Sequence, residues 1–412
     1  MNFMLFSLLL AEWQVLLAEW QPRPPLQEPF PSADQIWAVG AVCFALWLFA
    51  VGASVGSFLN VVVYRLPAGL NLSSPGSRCP RCLHPIRLRH NIPILGWLML
   101  RGRCADCHLP IATRYPLVEL LIGMIFLVVG GVELLGNGWN LPISGQTDIR
   151  QALSTNEPWS LGAAVLLHLV LLATLVSAAL IDYDGHPIPQ RIVLPIIFAA
   201  VLVSLWWPVV HPLPAVHSSL WVDLQLDLFM RGWRAGLVDV VAGALAGVAA
   251  CWLIYSATWF RPWLARRYGG PLLLLWMAIG MVCGWQLIPW LLACWAVRYS
   301  LSSARGGDLN KHPLLPALGL IIVLLISLLL WRFVALIPLV LDERIVAQAA
   351  IYGALLVAAW VLLNATAQAL PVDYDFPEPA VSASTTVESA AQSAAETVPP
   401  PSAPLSSDEP TP

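Results

Sequence analysis

Charge is what this chain has least of. Among its 412 residues only 11% are Asp, Glu, Lys or Arg, while 58% are hydrophobic. A soluble globular domain carries roughly 25% charged residues, so the deficit excludes a water-facing surface over most of the chain and points to lipid. No basic n-region precedes the first apolar stretch, which argues against a cleaved signal peptide. The cysteine spacing is not that of a secreted disulfide framework. No Lys or Arg occurs beyond residue 370, and no Asp or Glu between 240 and 307. The net charge of −3 is uninformative, because the charges are segregated along the chain.

What is present is a series of apolar runs. A span needs about 20 apolar residues, and the sequence predicts spans at about 36–63, 116–135, 159–181, 191–210, 236–258, 272–300, 313–334 and 345–364. The 272–300 run contains Gly280, Gly284 and Pro289 and is expected to split into two short helices near Gly284-Trp285-Gln286. The fold class is therefore all-α and polytopic. Residues 64–115 carry eight arginines and one acid, Asp106, which puts that loop on the cytoplasmic side by the positive-inside rule. Counting onward places 182–190, 259–271 and 301–312 on the same side. Arg261, Arg266, Arg267, Arg298, Arg305 and Lys311 agree with that count.

Both ends differ from the middle. "LLAEWQ" occurs at 9–14 and again at 16–21, which sets both Glu-Trp pairs on one helical face; an amphipathic interfacial segment over 1–35 is expected. The Pro/Ala/Ser/Thr-rich stretch 366–412, with its seven acids, has too little apolar surface to offset its ordering entropy and is expected to be disordered.

Four of the eight cysteines form two CxxC pairs, Cys79 with Cys82 and Cys104 with Cys107, separated by 21 residues within the arginine-rich loop. Two such pairs can close a tetrahedron of thiolates around zinc. A closed S4 site has no open position, so the ion is expected to be structural. It is expected to supply folding energy to a loop of about 50 residues that reads as poor in large apolar side chains. The remaining cysteines, Cys43, Cys251, Cys283 and Cys294, sit in apolar runs and read as small buried hydrophobes.

These motifs resemble a known family. "GSFLNVVVYRLP" (56–67), the two CxxC pairs and "RYPLVELL" (114–121) are similar to the N-terminal half of prepilin peptidases. The resemblance continues through "IDYD" (181–184) and "GALAG" (243–247) to "AIGMVCGWQLIP" (278–289). It implies eight spans, zinc in the cytoplasmic loop (67–115, after a first span at 36–66), and a membrane-embedded peptidase domain over 116–365. It further implies an aspartic endopeptidase of the bacterial inner membrane. Such enzymes remove the leader of type IV prepilins or type II secretion pseudopilins, and many members also N-methylate the new N-terminus with S-adenosylmethionine. Membrane lipid is the other expected partner. No nucleic acid is expected, and the sequence does not fix an oligomeric state.

An acid at the end of an apolar span is a functional suspect by default. Asp182 and Asp184 end the 159–181 run. Peptide hydrolysis by carboxylates needs two of them close together, one ionised and one protonated, and their proximity raises one pKa. Asp182 is the expected first catalytic residue. The family's second aspartate, in a Gly-x-Gly-Asp motif, aligns with 271–272, where Pro271 and Leu272 stand. Three readings stay open: Asp308 in "RGGDLNK" (305–311) replaces it, Asp184 pairs with Asp182, or no second acid exists. In the last case the protein serves as a pilin-binding or assembly factor. The family's Pro-Asp after the first aspartate is here Pro189-Gln190. Asn60, Arg65 and Glu119 are expected to frame the cytoplasmic surface, Glu119 with Arg114 as a candidate partner. His168 is expected to be a hydrogen-bonded core residue, and His186 a candidate modulator of Asp182.

Overall fold

The computed structural model describes residues 33–74, 76–79, 81–136, 140, 159–207, 233–257, 262–304, 314–330 and 353–362. The amphipathic segment before 33, Asp308 with its neighbours, and the acidic tail lie outside the described residues. The described residues are helical, with two isolated β-bridges in the arginine-rich loop.

The first helix, α1, runs Ala33–Arg65. By its contacts the chain divides after Trp47. The described part of the first unit is the opening of α1, where Phe44 and Trp47 stack with ring centroids 5.5 Å apart. The second unit begins at Leu48. It holds a short helix α2 (Leu95–Met99), α3 (Arg114–Ile125), α4 (Trp159–Tyr183), α5 (Leu194–Trp206), α6 (Trp233–Ala257), α7 (Pro262–Cys283), α8 (Leu287–Ala304), α9 (Leu314–Leu329) and α10 (Gly353–Leu362). Among the described residues, four stretches are long and apolar enough to cross a bilayer: Gln35–Arg65, Arg114–Leu135, Leu161–Tyr183 and Trp233–Ser256. The expected break near Gly284 is present. There α7 ends at Cys283, Gly284 takes a left-handed φ of +87°, and α8 starts at Leu287.

The core forms around α4, whose Leu171, Leu172 and Ile181 are fully buried, and around α7 and α8 through Trp276, Ile279, Leu287, Ile288 and Leu291. In lipid, helices associate by close van der Waals packing at small residues rather than by a hydrophobic drive. Gly243 and Gly247 of α6 meet α7 at backbone distance. A Cβ on either would strike a carbonyl oxygen, that of Gly280 or of Trp276. Gly52 and Gly56 of α1 play the same part against α3: a Cβ on Gly56 would stand 2.8 Å from Cα of Glu119. Of the four cysteines expected to be buried, Cys251 and Cys283 are, whereas Cys43 and Cys294 are exposed.

After Ile125 the α3 helix widens into a π-helix over Phe126–Leu135. This winding carries Glu133 into the core, where it is fully buried. His168 of α4 meets it, with Nδ1 at 2.9 Å from Oε2 and 3.0 Å from Oε1. Asn140 donates to the Leu328 carbonyl of α9 at 2.9 Å and approaches Glu133 at 3.5 Å. His168 is thus the hydrogen-bonded core residue expected. The sequence signal for its partner Glu133 is an acid inside the apolar run "VVGGVELLG" (128–136). At 1.5 Å per residue this cluster lies about 20 Å along α4 from Asp182.

Candidate active site and metal centre

Each CxxC pair begins a tight loop of the same form. In the first, Cys79 N–H donates to His84 O and Leu83 N–H returns to Cys79 O, both at 3.0 Å. In the second, Cys104 N–H donates to Leu109 O at 2.9 Å and His108 N–H to Cys104 O at 3.1 Å. Arg78 bridges to Pro85 and Arg103 to Pro110. Leu83 and His108, directly after the second cysteine of each pair, both take positive φ, 60° and 56°. The repeat is legible in "CPRCLHPI" (79–86) and "CADCHLPI" (104–111), beyond the cysteines themselves.

The two loops face each other. Sγ of Cys79 lies 3.9 Å from that of Cys107, Cys82 lies 3.9 Å from Cys104, and all four sulfurs fall within 4.8 Å of one another. A tetrahedron with Zn–S near 2.3 Å has S···S edges of about 3.8 Å, so the donor set fits one zinc ion with no position left open. The Cys82 backbone N–H draws the Cys79 thiol down to about 7. At Cys82 the His84 backbone N–H pulls downward, but burial and the neighbouring thiols prevail and push it up to about 12. At Cys107 the Leu109 backbone N–H pulls downward, and burial and the neighbouring thiols likewise prevail and push it up; a divalent cation reverses that balance.

Asp182 lies in the last turn of α4 and is only 3% exposed. The turn after it ends the helix in a defined way. Gly185 N–H donates to Asp182 O at 3.0 Å and His186 N–H to Ile181 O at 3.2 Å, with Gly185 at a φ of +80°. That is the glycine-terminated Schellman arrangement. It places two acids at the negative end of the helix dipole, an unfavourable position. For Asp184 the repulsion is offset by Arg114 at the start of α3. The guanidinium grips both carboxylate oxygens, Nη2 to Oδ2 at 2.8 Å, and lies 6.0 Å from the Tyr183 ring centre. Asp182 and Asp184 therefore differ: one is buried in the bundle and the other is committed to an ion pair.

Arg114 is thus partnered by Asp184, not by Glu119 as the sequence suggested. Glu119 instead accepts the Ile94 N–H at 2.6 Å, tying the loop to α3. Asn60 donates to the Tyr115 carbonyl at 3.2 Å, and Arg65 donates to the carbonyls of Asn71 and Leu72. His186 stands on the exposed turn. Pro271 falls inside α7. Beside it, Gly270 approaches Gln190, whose Nε2 would be 3.0 Å from a Cβ at that glycine. The two places where the sequence departs from the resembled motif are therefore neighbours.

These features define a multi-pass membrane protein with a tetrathiolate knuckle and a buried acid at the end of a span. Residues 50–131 match the family model described as Bacterial Peptidase A24 N-terminal domain. The prepilin leader peptidase/N-methyltransferase of Klebsiella pneumoniae is 32% identical over 264 residues, which is 59% of this chain and 88% of that protein. The protein of the same name from Stutzerimonas stutzeri is 32% identical over 61% of this chain and 77% of its own length. That from Aeromonas hydrophila is 31% identical over 59% and 74%. The chain belongs to the prepilin leader peptidase family. No solved structure matches it.

Proposed function

We propose that this chain removes the leader of a type IV prepilin or type II secretion pseudopilin at the cytoplasmic surface of the bacterial inner membrane. The observation that carries the reading is the buried Asp182 closing α4, in a chain that spans most of the length of relatives named prepilin leader peptidase/N-methyltransferase. The mechanism is that of two aspartates. Asp182 activates a water for attack on the scissile carbonyl, and a second acid donates a proton to the carbonyl oxygen. Asp308 is the proposed second acid, because it follows two glycines and precedes Lys311 on the side of the membrane assigned to Asp182. Asp184 is a poorer candidate, since Arg114 holds both its oxygens. Cys79, Cys82, Cys104 and Cys107 hold a structural zinc. N-methylation is carried over from the relatives' names, and S-adenosylmethionine as its methyl donor from the family resemblance.

One observation favours a second reading, a pilin-binding or assembly factor without cleavage. Pro271 sits within a continuous helix where the family's motif has its second acid, and 240–307 contains none. The deciding experiment uses the full chain in liposomes with a substrate that has a basic leader, a glycine and an apolar helix, and analyses products by mass spectrometry. Leader release is expected, with a loss of at least about 100-fold in Asp182→Asn and in Asp308→Asn. S-adenosylmethionine should add one methyl group to the product. Zinc-loaded native protein that releases no leader leaves the assembly-factor reading in place.

A further inference from the structure

The loop between α1 and α3 does not have the surface of a water-soluble knuckle. Contrary to the sequence expectation of few large apolar side chains, residues 92–100 read "IPILGWLML". Leu95, Leu98 and Met99 are 55%, 56% and 60% exposed, and Ile92 and Leu88 are exposed beside them. Contiguous exposed apolar surface of this kind marks an interaction site.

Its placement identifies the partner. Ile94 N–H, just ahead of α2, bonds Glu119 of α3 at 2.6 Å. Glu119 lies five residues inside the span that starts at Arg114, about 7 Å along the helix axis, and its side chain leans back toward that start. Trp97 Nε1 donates to the Ile111 carbonyl, just ahead of Arg114, at 3.1 Å. These two bonds hold α2 level with the first turns of α3, the depth where headgroups meet acyl chains. The hold is rigid. A Cβ on Gly96 would strike the His90 carbonyl, and one on Gly102 would stand 2.8 Å from the Trp97 ring. Arg89, Arg101 and Arg103, all exposed, flank the apolar residues in the chain. Apolar side chains at the boundary with arginines beside them match a leaflet containing anionic phospholipid.

We propose that residues 88–103 form an interfacial wedge. Leu95, Leu98 and Met99 insert into the leaflet on the arginine-rich side, and Arg89, Arg101 and Arg103 rest on anionic headgroups. The knuckle is thereby moored to the membrane surface beside the Asp182 end of α4. The inference rests on α1 and α3 spanning the bilayer and is independent of peptidase activity.

The test places an environment-sensitive fluorophore on Leu98→Cys, and separately on Met99→Cys, in full-length protein carrying Cys43→Ser and Cys294→Ser. Each preparation is checked for bound zinc, so that an unfolded loop is recognised and the other site is used. The proteins are reconstituted in nanodiscs of phosphatidylcholine with or without phosphatidylglycerol. Quenching by phospholipid brominated high on the acyl chain, with severalfold weaker quenching by aqueous iodide, is the expected result. Strong iodide quenching overturns the proposal, because the residues then face water. Quenching by neither also overturns it, because a protein then covers the patch. Equal lipid quenching with and without phosphatidylglycerol, unchanged in Arg101→Gln/Arg103→Gln, removes the role given to the arginines.

Discussion

At the scale of single residues, three acids near membrane boundaries or inside the bundle have three different fates. Asp184 is held by Arg114, Glu119 anchors a loop amide, and Glu133 is sealed in the core with His168. Removing one partner of a buried pair leaves the other polar group stranded, at a cost of about 3–5 kcal/mol. Glu133→Leu or His168→Leu alone should lower the unfolding midpoint in detergent markedly. The double replacement should recover part of the loss, because a well-packed apolar pair is often as stable as a buried ionic one. A double mutant no better than the sum of the singles would mean that the pair does not act as a unit. Glu119→Ala should cost about 1.5–3 kcal/mol, the value of a charge-assisted hydrogen bond. It should also raise amide exchange around Ile94 while leaving zinc content unchanged.

At the scale of elements, the close approach of α6 and α7 depends on glycines. Gly247→Ala should destabilise by about 1–3 kcal/mol or more, because the methyl meets the Trp276 carbonyl and backbone cannot give way as a side chain does. Gly40, with open space around its Cβ position, should tolerate alanine; comparing the two unfolding midpoints in one detergent checks both. Much at this scale was legible in the sequence. Apolar runs located the long helices and Gly284 marked the break between α7 and α8, because hydropathy and glycine act locally, but α7 begins at Pro262, within the stretch 259–271 expected to be a loop, and α8 runs on to Ala304. The winding of α3 into a π-helix, which delivers Glu133 to His168, was not legible, since it depends on the neighbours α3 packs against. The mooring of the loop through Ile94 and Glu119 escaped for the same reason. A backbone amide bonding an acid 25 positions away in the chain leaves no mark on either residue. The departure at Pro271 was visible from motif spacing alone, and the structure adds that Gln190 lies beside the adjoining glycine.

At the scale of the whole molecule, the tetrathiolate knuckle and the helical bundle are stabilised differently. With the zinc proposed above, the knuckle depends on metal, the bundle on packing in lipid. The purified chain should contain about one zinc ion, the number that a closed four-thiolate site holds. Cys104→Ser should lose the zinc, as measured by elemental analysis. Protons compete with zinc for thiolates, so affinity should fall as pH drops. The Cys79 thiol is drawn down to about 7, chiefly by the Cys82 backbone N–H. A strong chelator should therefore strip the knuckle faster at acid than at alkaline pH while the helical circular dichroism of the bundle persists. Loss of the whole helical signal on chelation would mean that the two parts are not separable.

The assignment of Asp182 as catalytic and Asp184 as a structural clamp is open to one direct measurement: leader release from the same substrate, in the same liposomes, by native protein, Asp182→Asn and Asp184→Asn. The account predicts that Asp182→Asn abolishes release. Asp184→Asn, which removes only an ion pair about a third exposed to solvent, keeps most of it. Full activity in Asp182→Asn, or loss confined to Asp184→Asn, would contradict it.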